Sequence, residues 1–302
     1  MHDLMILGAG PAGMTAAVYA ARQKADTLLL SKDVGGQVNW TLGIENYMGY
    51  QFIEGVELIQ KFEEQVRKFP IEIRIGKDVK RLIRVRNGFE VEADGERHSA
   101  RTVIVCTGKR PKTLNVPGEE KLRGRGVTYC EVCDGPLFQG MDVAVIGGGN
   151  SALEAADNLT RIANHVSLVS ISPLTGDNIL IEKVKESGKI TVMTQHQTLE
   201  VTGDGSVSGI RIRDLASGQE KDLPVGGVFV EIGLMPNSDF VRDVLTLNEL
   251  GEIQVNCACE TEIAGLYAAG DVTNVPAKQI VVAAGEGAKA AIQAHQFLQK
   301  CI

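Results

Sequence analysis

Apolar residues in this chain follow two rhythms. Short unbroken runs at residues 4–7, 27–30, 102–106, 142–146, 166–169 and 228–232 have the length and continuity of strands covered on both faces, as in a parallel sheet. Longer stretches at 14–22, around Glu154, Ala156 and Leu159, and after Ile280 repeat apolar residues at helical spacing. So does 55–68, with Val56, Leu58, Ile59, Phe62 and Val66 on one face. Runs at 71–75, 79–84 and 89–93, parted by turn residues, predict a three-stranded meander over one face of the first sheet. An antiparallel stretch near 203–214, a short helix at 240–245 and a strand at 265–271 complete the pattern.

Two of the strand-to-helix junctions carry glycine turns. Residues 4–7 run straight into Gly8-Ala9-Gly10-Pro11-Ala12-Gly13, a G-x-G-x-x-G that opens a helix. In that setting the glycines permit a tight turn and the helix N-terminus faces a pyrophosphate. Gly147-Gly148-Gly149-Asn150-Ser151-Ala152 repeats the arrangement with Ala in the last place. The first begins at Gly8 and the second at Gly147, which points to a duplicated architecture rather than a short-period repeat. Strand 102–108 ends in Thr107-Gly108, and 228–233 takes the same role in the second unit. Asp33, after the second strand, is a candidate ribose partner. Loops containing Gly36, Gln37 and Asn46 offer close backbone approach and side chains able to read the edge of a planar ring. Asp271 ends a strand at the carboxyl edge, where ligands bind in open α/β sheets. Small residues at 283–288 allow the last helix a close approach.

Between the two turns lies Tyr129-Cys130-Glu131-Val132-Cys133-Asp134-Gly135-Pro136. Two thiols at this spacing can close a disulfide ring, and the adjacent carboxylate can handle the protons that leave and return. The alternative is half of a zinc site, which needs a second ligand pair. Cys257-Ala258-Cys259, with a single residue between its thiols and no histidine nearby, does not supply one, so no metal is expected. Cys106 should be an inert core thiol. Cys257, Cys259 and Cys301 should be structural or surface residues.

Length and composition narrow the class. At 302 residues the chain suits two ordinary domains, and 44% hydrophobic content with 34 glycines and nine prolines suits a soluble α/β protein. A net charge of −7 argues against a nucleic-acid or anionic-membrane surface. No secretory leader or membrane-length run is evident. Six cysteines are too sparse for a disulfide scaffold, so a cytoplasmic location is expected.

In this order, Gly8 to Gly13, Gly35-Gly36-Gln37, Cys130 to Pro136, Gly147 to Ala152 and Gly270-Asp271 resemble the low-molecular-weight thioredoxin reductases and the flavoprotein component of alkyl hydroperoxide reductase. The segment from Cys259 to Lys289 is especially similar to the latter. The resemblance implies an α/β fold of two Rossmann-like, three-layer ββα dinucleotide-binding domains, the second inserted in the first. Residues 1–113 and 246–302 would bind FAD, and 114–245 would form an NAD(P)-binding-like domain carrying the dithiol. The pyrophosphate is expected on Gly8, Gly10, Pro11, Ala12 and Gly13, with the flavin ring near Gly36, Gln37, Asn46, Gln279 and Ile280. Thr107, Gly108, Gly270 and Asp271 complete the expected FAD site. Gly147, Gly149, Asn150, Ser151 and Ala152 form an expected NAD(P) turn, in vestigial form.

Further implications concern the chemistry. Cys133 is expected to face the flavin, Cys130 to attack the partner's disulfide and Asp134 to carry the proton. Family members are homodimers whose smaller domain rotates. The peroxide-reductase flavoprotein has an additional thioredoxin-like N-terminal region; none is evident here, so the dithiol is expected to act on a separate thioredoxin-like partner. Where NADPH-dependent relatives place arginines after the strand at 166–169, and an NADH-dependent relative a glutamate, this chain reads Ser170-Ile171-Ser172-Pro173-Leu174-Thr175-Gly176-Asp177. Only Asp177 or a serine could substitute. Reduced ferredoxin is therefore the expected donor ahead of NAD(P)H; the alternative is an NADH-dependent reductase of a peroxiredoxin- or glutaredoxin-like carrier.

Overall fold

The computed structural model describes residues 1–41 and 43–300. Its chain order is β1 (His2–Ala9), α1 (Pro11–Arg22), β2 (Thr27–Val34), α2 (Gly55–Val66), β3 (Glu72–Ile75), β4 (Val79–Val85), β5 (Gly88–Ala93) and β6 (Glu96–Val105). Among the described residues the first sheet has the order β3-β2-β1-β6-β5-β4. The first four of these strands run parallel, and β5 pairs antiparallel with the start of β6.

Continuous apolar runs form here because both faces are covered. In β1, Leu4 and Ile6 pack under the helices, while Met5 and Leu7 face a second cluster that includes Leu82, Phe89 and Val91 from the β4–β5 hairpin. The expected meander is thus corrected in part. The hairpin does pack over one face, but the strand near residue 73 is a parallel edge strand on β2, on the far side of the sheet. A parallel edge strand and a hairpin strand carry the same short apolar pattern, and only the pairing partner tells them apart.

The chain then passes through β7 (Lys109–Pro111) to β8 (Val127–Thr128), α3 (Glu131–Asp134), β9 (Asp142–Ile146), α4 (Asn150–Leu159), β10 (His165–Ser170), α5 (Asn178–Glu186) and β11 (Ile190–Thr194). β12 (His196–Gly203), β13 (Val207–Asp214), β14 (Glu220–Pro224), β15 (Gly227–Val230) and β16 (Leu234–Pro236) follow. The second sheet, β11-β10-β9-β15-β8, packs α4 and α5 on one side and the antiparallel β12–β14 sheet on the other. This is the expected three-layer arrangement. β7 and β16 pair antiparallel where the chain leaves and re-enters the first unit. Val241 and Leu245, which the expected boundary at 245 places with the second unit, are buried in the first unit's core. The expected helix at 240–245 is only a 3-10 turn, Asp239–Val241.

β17 (Leu266–Ala268) adds to the carboxyl half of β6, and α6 (Ile280–Lys300) closes the fold against α1. The two helices meet through alanines and glycines: Ala12, Ala16, Ala17 and Ala20 on one, Ala283, Ala290, Ala291 and Ala294 on the other. A Cβ on Gly287 would lie 2.0 Å from the Ala12 carbonyl oxygen. No described helix is long and apolar enough to cross a membrane.

Two glycines in one helix should therefore behave oppositely. Gly287→Ala forces apart α6 and the first turn of α1 and should lower stability by about 1–3 kcal/mol. Gly285, whose added Cβ meets nothing within 4 Å, should gain about 0.5–1 kcal/mol as Ala. Chemical denaturation of the two variants checks the pair, and equal effects would contradict the packing account.

Candidate active site

The first glycine turn is shaped by steric necessity. Gly8 has φ +107°, and a Cβ there would lie 2.4 Å from the Cys106 carbonyl oxygen; one on Gly13 would lie 1.8 Å from that of Gly8. Any side chain at either position would unseat α1 from β1. Gly10 differs, since a Cβ there meets nothing within 4 Å. Its position is open on the side of the cavity. Pro11 opens α1 without a side-chain cap, so the N–H groups of the first turn are left for a ligand.

That turn borders a cavity of about 920 Å³, large for a small-molecule site. Gly8, Gly10, Pro11 and Ala12 line one part of it, with Ser31, Lys32 and Asp33 beyond. Gly36, Gln37 and Asn46 line another part. Gln37 Nε2 lies 3.5 Å from Asp271 Oδ2, and Asn46 Nδ2 donates to Gln279 Oε1 at 3.2 Å. Thr107, Gly108, Gly270, Gln279 and Ile280 also border it. Thr107 is fixed from across the units: its hydroxyl donates to the Asn237 carbonyl at 2.6 Å, and Asn237 Nδ2 returns a bond to Thr107 at 2.8 Å. Gly13 lies behind the turn as a packing residue. The open positions at Gly10 and Gly36, the free helix N-terminus and the two amides fit an extended dinucleotide with a planar ring, as FAD has.

Charge in the cavity was only partly legible. Lys109 and Lys278 both line it and share one buried carboxylate, Glu252, at 2.5 and 3.3 Å. Burial raises the Asp271 carboxyl, against the lowering effect of those lysines. Nothing local in the sequence marks Lys109 or Glu252, because their pairing spans 143 positions.

The opposite wall comes from the second unit. Cys130 and Cys133 form a disulfide with a Cα–Cα distance of 5.3 Å, and both border the cavity together with Tyr129 and Asp134. Cys130 caps α3, and the Cys133 N–H lies 3.3 Å from its sulfur. That hydrogen bond favours negative charge on Cys130 once the ring opens. Asp134 is 6% exposed, accepts a hydrogen bond from the Thr128 hydroxyl and leaves Oδ1 without a partner. Burial pushes its pKa up to about 6, against the Thr128 bond. A carboxyl with that affinity and a free oxygen beside a disulfide can hold a proton and release it.

Sequence reasoning also missed Trp40, Arg123 and Glu119. Arg123 stacks over the rings of Trp40 at 4.8 Å and Tyr129 at 5.2 Å, tying the first unit to the residue before Cys130. The Tyr129 hydroxyl donates to buried Glu119 at 2.9 Å.

The second glycine turn lies outside this cavity. Gly147 needs its φ of +150°, since a Cβ would meet the Glu231 carbonyl oxygen at 2.3 Å. Gly149 precedes α4 with open space around it, and Ala152 is buried beneath. The polar groups here bond one another. Asn150 exchanges two hydrogen bonds with Asp177, Ser151 donates to Glu231 at 2.6 Å, and the Thr175 N–H reaches the Gly148 carbonyl at 2.8 Å. At the end of β10, Ser170 is buried and donates to the Ser172 carbonyl.

The remaining thiols are distant in character. Cys106 is buried and burial drives its pKa far up; that of buried Cys259 is pushed up to about 11. Cys257 is exposed, and Cys301 lies outside the described residues. No cluster of three or more potential metal ligands occurs among the described residues.

Comparison with known proteins agrees with this geometry. Residues 2–287 match the family described as pyridine nucleotide-disulphide oxidoreductase. The chain is 42% identical over 303 residues to the F component of alkyl hydroperoxide reductase from Escherichia coli strain K12, covering 98% of this chain and 58% of that protein. It is 42% identical over 298 residues to a Bacillus subtilis protein named NADH dehydrogenase, with the same coverages. The chain thus spans little more than half the length of these relatives. A thioredoxin reductase structure from Streptococcus pyogenes superposes with a TM-score of 0.95 at 37% identity, over 99% of both chains. The chain belongs to the pyridine nucleotide-disulphide oxidoreductase family.

Proposed function

We propose that the protein is an FAD-dependent reductase of thioredoxin-like disulfides, acting as a homodimer in a reducing cytoplasm. One observation carries the reading: the dinucleotide-type turn, the amides that suit a planar ring and the Cys130–Cys133 disulfide all border one cavity. Bound FAD would supply a two-electron store. Gly8 to Ala12 would hold its pyrophosphate, Asp33 its ribose, and Gly36, Gln37, Asn46, Gln279 and Ile280 its ring, with Asp271 beside the chain that joins them.

The chain's own residues divide the remaining work. As electrons reach Cys133, the Cys130 sulfur departs as a thiolate, stabilised by the Cys133 N–H and protonated by Asp134. Deprotonated again by Asp134, Cys130 attacks the partner's disulfide to form a mixed disulfide, and Cys133 then resolves it.

For the donor, the lack of an arginine or carboxylate from Ser170 to Gly176, with Asp177 engaged by Asn150, supports reduced ferredoxin over NADPH or NADH. The driving force suffices: about −400 mV for a ferredoxin against about −270 mV for thioredoxin releases about 6 kcal/mol for two electrons. A second reading, an NADH-dependent reductase of a peroxiredoxin- or glutaredoxin-like carrier, is favoured by the 42% identity to a protein named NADH dehydrogenase.

Three experiments test these assignments. Cys133→Ser should trap a thioredoxin as a stable mixed disulfide and Cys130→Ser should trap little; equal trapping reverses the division of labour. Asp134 is neutral below about pH 6, so reduction of the disulfide by reduced flavin should slow as pH rises through that value. Asp134→Asn should flatten the profile and slow the step by ~10²-fold with flavin affinity unchanged. In anaerobic stopped-flow measurements reduced ferredoxin should bleach the flavin rapidly, whereas rapid bleaching by micromolar NADPH or NADH would overturn the ferredoxin reading, and bleaching by NADH in particular would favour the second.

A further inference from the structure

Beside the cavity runs a separate groove of about 540 Å³, and Trp40, Arg110 and Arg123 line both. Every charged residue lining the groove is a cation: Arg110, Lys112 and Arg123. Arg123 is paired with Glu120 at 2.6 Å. Arg110 reaches only the neutral Asn237 side chain, at 2.7 Å, and the Lys112 ammonium has no partner among the described residues. Two positive charges therefore stand uncompensated on a protein whose net charge is −7.

We propose that this groove is the docking surface of the electron donor, a small acidic one-electron carrier protein; the inference rests on the donor reading above. An acidic protein meets a chain of net charge −7 and, at this groove, a lining whose charged residues are all cations, so the local field favours its orientation on contact. Trp40 borders the groove on one side and the cavity on the other. A redox centre docked over Arg110 and Lys112 would face the flavin site across that aromatic ring rather than across a full domain. Each of two donor molecules would lose one electron, the flavin would take both with two protons from water, and the Cys130–Cys133 disulfide would then accept the pair with two protons and become two thiols. Neither uncompensated cation is needed for the dithiol chemistry, and Lys112 does not line the cavity.

Titration calorimetry of an oxidised acidic plant-type ferredoxin into the FAD-loaded protein, at low and high salt, tests the groove without any turnover. Lys112→Glu, alone and with Arg110→Glu, should weaken binding at low salt by ~10-fold or more and shallow its salt dependence. The same variants should slow flavin reduction by reduced ferredoxin in proportion. Reduction by dithionite, and trapping of thioredoxin in a Cys133→Ser background, should be unchanged by Lys112→Glu. If ferredoxin reduces the flavin but charge reversal changes neither binding nor rate, the groove is wrong and the donor reading stands. If reversal instead slows thioredoxin trapping, the groove serves the acceptor and the proposal fails. If wild-type protein neither binds ferredoxin nor accepts its electrons, both fail together.

Discussion

The architecture depends on backbone packed against backbone at the start of α1. Ala12 lies under Gly287 on one side, while Gly13 sits on the Gly8 carbonyl on the other, each at a separation that excludes a Cβ. Such contacts leave the helix no freedom to slide. Its unpaired N–H groups are consequently held at one place on the cavity wall, with Lys278 and Gln279 and the start of α6 at Ile280 lining the same cavity. Glu286, buried in α6, reaches back to accept the Gly270 N–H at 2.8 Å and fixes the strand end that presents Asp271.

The dithiol faces this rigid wall from a unit joined to it by the β7–β16 pair and by the Arg123 stack. Its asymmetry arises locally. Cys130 receives an N–H and Asp134 receives a hydroxyl, so the two sulfurs differ in their capacity for negative charge before any partner arrives. The acid beside the disulfide is raised by burial against the opposing Thr128 hydrogen bond, with no neighbouring charge among the causes.

What was legible in the sequence is what geometry forces upon it. Gly8, Gly13 and Gly147 stand where no other residue fits, and Cys130 and Cys133 where only thiols can make the ring, so both turns and the dithiol could be read directly. The cavity amides Gln37 and Asn46 were legible from their glycine-rich loops, Gln279 through the resemblance, and Asp271 through its place at a strand end. The side chains that were missed act across long separations. Lys109 looks like a solvated charge until Glu252 meets it, and Trp40 looks like an ordinary loop aromatic until Arg123 arrives from the other unit. The strand near residue 73 was placed wrongly for the same reason, since its partner β2 lies outside its neighbourhood.

The stack at the cavity rim has an optical consequence. The chain contains a single tryptophan, and that residue is Trp40, beneath the Arg123 guanidinium at the edge of the large cavity. Tryptophan emission, selected by exciting at the red edge where the five tyrosines do not absorb, therefore originates at the junction between the two units. It senses the charge of the one guanidinium above it, and a flavin held in the adjacent cavity, as proposed, would accept its energy by resonance transfer, so the protein carries its own site-specific fluorophore without any label.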